Sequence, residues 1–146
     1  MKLKSHILQG AVLSPIAYYF TDIKSAVIFL LSFIFIDMDH YFLYSYRFRK
    51  FTAKGIFKYF DELLENRREN MCELCIFHTV EVFLLLFISG YWRREFWIVL
   101  IGFLTHQVFD MYYLFKREAL HIRAFSFVEY FIRKRYSKRR LLMNKI

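Results

Sequence analysis

The stretch Phe96–Phe115, FWIVLIGFLTHQVFDMYYLF, decides how this chain is read. It is apolar except for Thr105, His106, Gln107 and Asp110. A helix needs roughly 20 predominantly apolar residues to cross a bilayer, and this run has that length. Leu74–Trp92, just before it, is interrupted only by His78, Thr79, Glu81 and Ser89. Ile23–Ile36 carries Lys24 and two serines, then ends in Asp37-Met38-Asp39-His40. It reaches spanning length only if the helix continues to Tyr44. Ile7–Phe20 is shorter and fits a tilted or partly inserted helix.

Composition agrees. The 146 residues are 58% hydrophobic and 22% aromatic, with 19 Phe and 11 Tyr. A soluble domain of one core cannot bury that many large side chains, so lipid is the expected solvent. Four Gly and one Pro predict long helices with few breaks. The fold expected is all-α, an integral membrane bundle of about four transmembrane helices in one domain, residues 1–146. The helices are expected at about 6–20, 24–44, 73–91 and 95–115. Met1-Lys2-Leu3-Lys4 before an apolar run has the look of a signal peptide, but no small-x-small cleavage site follows, so it reads as a retained first helix.

The net charge of +9 is unevenly placed. If the helices alternate in direction, 19 of the 22 Lys and Arg fall on one side. The positive-inside rule makes that side cytoplasmic, with both termini there, in an inner membrane. Residues 47–72 show apolar positions at helical spacing among charges and read as an amphipathic surface segment. Residues 116–146 read as a basic tail, and the run from Arg133 to Arg140 suits anionic lipid headgroups. Nucleic acid is the weaker partner. Cys72 and Cys75 form one C-x-x-C, read first as reduced structural thiols and second as an accessory metal contact.

Ionisable residues inside spans are costly and need a reason. His6, His40, His78 and His106 all fall in or at the ends of apolar helices. Asp37 lies three residues before His40, Glu81 three after His78, and Asp110 four after His106, spacings that share a helix face. All lie toward the cytoplasmic end of their helices. Clustered imidazoles and carboxylates suit a divalent cation (Zn, Mn, Fe or Mg, one ion or two) that activates water. A carboxylate outside the ligand set then takes the proton; Asp39 and Glu81 are the candidates.

His6 with Gly10, then Asp37-x-Asp39-His40, then His78, then His106-x-x-x-Asp110 resembles the membrane-bound metal-dependent hydrolases, the YdjM-like, LexA-regulated inner-membrane family. That family is distantly similar to zinc-dependent phospholipase C. The resemblance covers about residues 3–115. It implies that His6, Asp37, His40, His78, His106 and Asp110 are metal ligands. The chain departs from the family pattern at Cys72–Phe77, which lacks an Arg-Gly before the third His, and at Glu81. The expected activity is hydrolysis of a phospholipid or other phosphoester, with Arg47 and Arg49 as candidates to hold the phosphate. The rival expectations are a transporter or ion relay using the His–carboxylate cluster, and a non-enzymatic membrane adaptor.

Overall fold

A computed structural model describes residues 3–49, 55, 59 and 73–143; of 3, 4 and 137–143 it describes backbone only. The surface segment expected at 47–72 and Cys72 therefore lie almost wholly outside the described residues. The chain is mostly helical, in the order α1 (Leu3–Phe20), α2 (Ile23–Phe35), α3 (Met38–Phe48), β1 (Glu73–Leu74), a 3-10 turn (Ile76–His78), α4 (Val80–Ser89), α5 (Arg94–Lys116), a second 3-10 turn (Leu120–Ile122), β2 (Arg123–Ala124) and α6 (Phe127–Met143).

α1 holds Pro15, which cannot donate to the carbonyl of Ala11. Ser14 Oγ reaches that carbonyl at 3.3 Å. Asp22 caps α2, accepting from the Ser25 amide at 2.9 Å, as the sequence implies for a short polar turn. α2 and α3 form one nearly continuous rod, Ile23–Phe48, interrupted at Ile36–Asp37. The helix expected at 24–44 is thus broken where two poor helix formers, Asp37 and Asp39, follow the apolar run.

The third helix is shorter than the sequence suggests. Instead of 73–91 it covers Val80–Ser89, with β1 and a 3-10 turn ahead of it. At 1.5 Å per residue its ten residues extend about 15 Å, half a bilayer core. Two helices are long and apolar enough to cross a membrane, Ile23–Phe48 and Arg94–Lys116, and only 33% and 39% of their apolar windows are buried. Their outer faces are apolar as well: Val27, Leu31 and Phe35 on α2 and Val108, Tyr112 and Phe115 on α5 are all exposed. α1 adds Leu8, Val12 and Ile16 along one stripe.

Two glycines set the helix approaches. A Cβ on Gly10 would touch Leu30 and Phe33 at 3.1 Å, so α1 lies tight against α2. A Cβ on Gly102 would fall 2.1 Å from Ser32 Oγ and 3.1 Å from the Phe29 carbonyl. α5 and α2 therefore meet almost backbone to backbone.

The tail is not a loose basic extension over its first part. α5 ends in a Schellman turn: the Ala119 amide reaches the Leu114 carbonyl at 2.9 Å and the Glu118 amide that of Phe115 at 3.0 Å, with Glu118 left-handed at φ 53°. Leu114, Ala119 and Ile122 bury each other beneath this turn. The chain then runs back to pair β2 with β1 in parallel, Arg123 opposite Glu73 and Ala124 opposite Leu74. This small pair is the one departure from an all-α fold among the described residues. His121 is half-buried in this return segment.

Candidate metal centre

Each helix break or close approach delivers a side chain to one buried place. The last four carbonyls of a helix lack intrahelical partners, and Phe33 lies in the last turn of α2. Its carbonyl accepts from His106 Nδ1 at 2.8 Å. That bond leaves His106 Nε2 pointing at Asp37 Oδ1, 3.3 Å away, and Asp110 Oδ2, 3.9 Å away. Asp37 stands at the α2–α3 break, where its side chain makes no capping bond and turns inward.

His78 is fixed in the same manner. The 3-10 turn places its Nδ1 3.0 Å from Asp39 Oδ2, which also accepts from the Phe77 amide at 2.9 Å. Its Nε2 then faces Asp37 Oδ1 and Asp110 Oδ2, both at 3.8 Å. Burial, together with the nearby Arg123 guanidinium, pulls His78 down to about 4. It is therefore neutral near pH 7, the form with a lone pair to give. His6 stacks on His106 with ring centroids 4.1 Å apart. Its Nε2 lies 3.3 Å from Asp110 Oδ1 and 3.7 Å from Asp37 Oδ2. His40 Nε2 lies 3.5 Å from Asp37 Oδ1.

These spacings carry chemical information. Most are too long for good hydrogen bonds. Four donors at about 2.0–2.1 Å around a tetrahedral ion, however, sit about 3.3 Å from one another. His6, Asp37, His106 and Asp110 form one group able to hold a cation, and Asp37, His40, His78 and Asp110 form another, sharing both aspartates. His78 Nε2 and His106 Nε2 are buried with no hydrogen-bond partner among the described residues. An imidazole anchored through one nitrogen, with the other aimed at carboxylates, is how metal-binding histidines are held. The donors present therefore fit a divalent cation.

The structure brings together His6, Asp37, Asp39, His40, His78, His106 and Asp110. It does not bring Glu81 there. Glu81 Oε1 accepts from Ser126 Oγ at 2.6 Å and from the Phe127 amide at 2.9 Å, tying α4 to the start of α6. The spacing rule that joined it to His78 presumes one helix, and the helix begins only at Val80. Asp39 is occupied by His40, His78 and the Phe77 amide. Arg47 is held by Glu73 and Tyr59, and Arg49 is exposed at the end of α3.

The arginine that does reach the cluster is Arg123, 9% exposed. Its Nη1 donates to Asp110 Oδ2 at 2.8 Å and its Nη2 to His40 Nε2 at 3.1 Å. Burial disfavours its charge, but Asp110 more than offsets this and holds the guanidinium protonated, its pKa raised above the ordinary value. Sequence reasoning missed it among ten basic residues after Phe115. One signal was available: Ile122-Arg123-Ala124-Phe125 sets this arginine among apolar neighbours, unlike the run after Ile132.

No family model, no curated protein and no solved structure matches the chain.

The far end of the bundle is different. Lys24 pairs with Glu95 at 2.8 Å and Arg94 lies 4.0 Å from Asp22; Asp22, Lys24 and Arg94 are exposed and Glu95 is half-buried. On α5, every residue between Glu95 and His106 is apolar or Gly except Thr105.

Proposed function

We propose that the chain is a membrane-embedded, metal-dependent hydrolase acting on a phospholipid or other phosphoester at the cytoplasmic headgroup layer. One observation carries the reading: imidazole nitrogens and two shared aspartates from four separate elements converge at the separations of a cation's ligand shell. The resemblance of His6, Asp37, His40, His78, His106 and Asp110 to the YdjM-like hydrolases points the same way. We read α1, the α2–α3 rod, α4 and α5 as the membrane bundle, with both termini cytoplasmic. Zinc suits the donor set best, as one ion or two.

A bound dication supplies Lewis acidity and an acidified water. The chain's own residues do the rest. His106 and His78 are held in register by Phe33 and Asp39. Asp39 thus acts as a positioning residue. Arg123 offers a planar fork that matches two phosphate oxygens, provided that both of its partners, Asp110 and His40, give way to them. A relay through the membrane is the poorer reading, because the path along α5 from His106 to Glu95 is apolar.

The test is metal analysis of the purified full chain beside His106→Ala and Asp37→Ala. Wild type is expected to hold at least one zinc per chain, and both variants to lose most of it. Equal metal in all three would overturn the reading. A phosphoester screen, with and without chelator, follows on the loaded protein.

A further inference from the structure

A third donor group lies on the other side of two of the same imidazoles: Asp39, His40, Cys75 and His78. Cys75 is 1% exposed, and its Sγ lies 3.0 Å from His40 Nδ1. Asp39 Oδ1 is 3.1 Å from His40 Nδ1, and Asp39 Oδ2 is 3.0 Å from His78 Nδ1. The 3-10 turn that Cys75 opens holds residues three apart over one another, so Cys75-x-x-His78 presents both donors to one place. Asp39 and His40 come together from the first turn of α3. One thiol, two imidazoles and a carboxylate compose a closed zinc-type site, and the thiol biases it toward soft cations.

The His40 and His78 rings are stacked, with centroids 5.0 Å apart and planes 4° from parallel. Both turn Nδ1 toward Asp39, that of His40 also toward Cys75, and both turn Nε2 toward Asp37. A neutral imidazole has one lone pair. Each ring can therefore serve one side at a time.

We propose that Cys75, Asp39, His40 and His78 form a thiolate cation site that excludes occupation of the Asp37–His40–His78–Asp110 position. Binding there displaces the thiol proton to solvent and forms an Sγ–cation bond. The thiolate site stands on its own donors. Only the exclusion rests on the proposed metal centre. The chain thus chooses between a soft cation beside Cys75 and a harder one between the aspartates.

The chain has two cysteines, so in a Cys72→Ser variant Cys75 is the sole thiol. Cobalt(II) is titrated into that full-length variant in detergent, with bound cobalt measured by dialysis. A near-ultraviolet thiolate-to-cobalt charge-transfer band is expected, absent from Cys72→Ser/Cys75→Ser and retained when His106→Ala is added. Bound cobalt without the band, or no bound cobalt, overturns the site. Excess manganese(II) is expected to reduce the band at least twofold in Cys72→Ser and to leave it unchanged when Asp110→Asn is added. Insensitivity to manganese in both overturns the exclusion. The reading of the His6–His106 group is judged separately, by its zinc content.

Discussion

The imidazole of His106 on α5 is anchored to the backbone of α2 by its bond to the Phe33 carbonyl, 2.8 Å long. The bond exists because Gly102, one turn earlier on the same face, lets the two helices touch. An added methyl there would meet Ser32 Oγ at 2.1 Å. Gly102→Ala is expected to cost about 1–3 kcal/mol through overpacking and to lower zinc content by displacing His106. Adding Ser32→Ala should recover part of both losses, since the clash is shared. Thermal unfolding in detergent and metal analysis of the single and double variants check this. Loss of metal from Gly102→Ala with no recovery in the double variant would count against the steric account.

Asp39 touches two histidines and a backbone amide. Replacing it with Asn keeps the shape but removes the charge that orients His78. Outer partners of this kind are worth about 10–100-fold in metal affinity. A competitive chelator titration of Asp39→Asn should show a loss in that range, smaller than for His106→Ala.

Arg123→Gln separates the anion-holding role from the cation-holding one. Zinc content should stay at or above the wild-type value, because Asp110 is released from its ion pair. KM for a phosphoester should rise about tenfold or more, the scale of one lost charge-assisted contact. Arg123→Lys should rescue only partly, lacking the fork. A steady-state assay on loaded protein decides it.

Glu81→Ala tests a different assignment. Its bonds to Ser126 and Phe127 cap the start of α6, so the variant should melt at lower temperature and expose residues near 126 to protease. Its zinc content should match wild type. A drop to the level of His106→Ala would restore Glu81 to the metal centre.

Much of this was readable in the sequence because cost and spacing are local. A histidine in an apolar run must be accommodated, and His106 with Asp110 four residues on defines a face without any structure. The meeting of His6, Asp37, His40, His78, His106 and Asp110 was legible as far as each falls toward the same end of its apolar run. What was not readable depends on contacts distant along the chain. The pairing of His78 with Asp39 rather than Glu81 needs the 3-10 turn ahead of Val80, and an apolar run does not announce where its helix starts. The break at Ile36–Asp37 is a different case, since its cause, two poor helix formers after an apolar run, is local. Arg123 is delivered by two residues of parallel strand joining segments fifty positions apart, which no short window can contain.

That strand pair also limits where the chain can be cut. The Val80 amide is satisfied by the Phe125 carbonyl at 2.9 Å, and Glu73 lies opposite Arg123. A chain ending at Lys116 would keep its long apolar helices. It would also leave the segment ahead of α4 without its clasp, free the end of α4 to unwind, and remove the only buried cation described beside the aspartates. Such a truncation would yield a protein that keeps its helices but does not close.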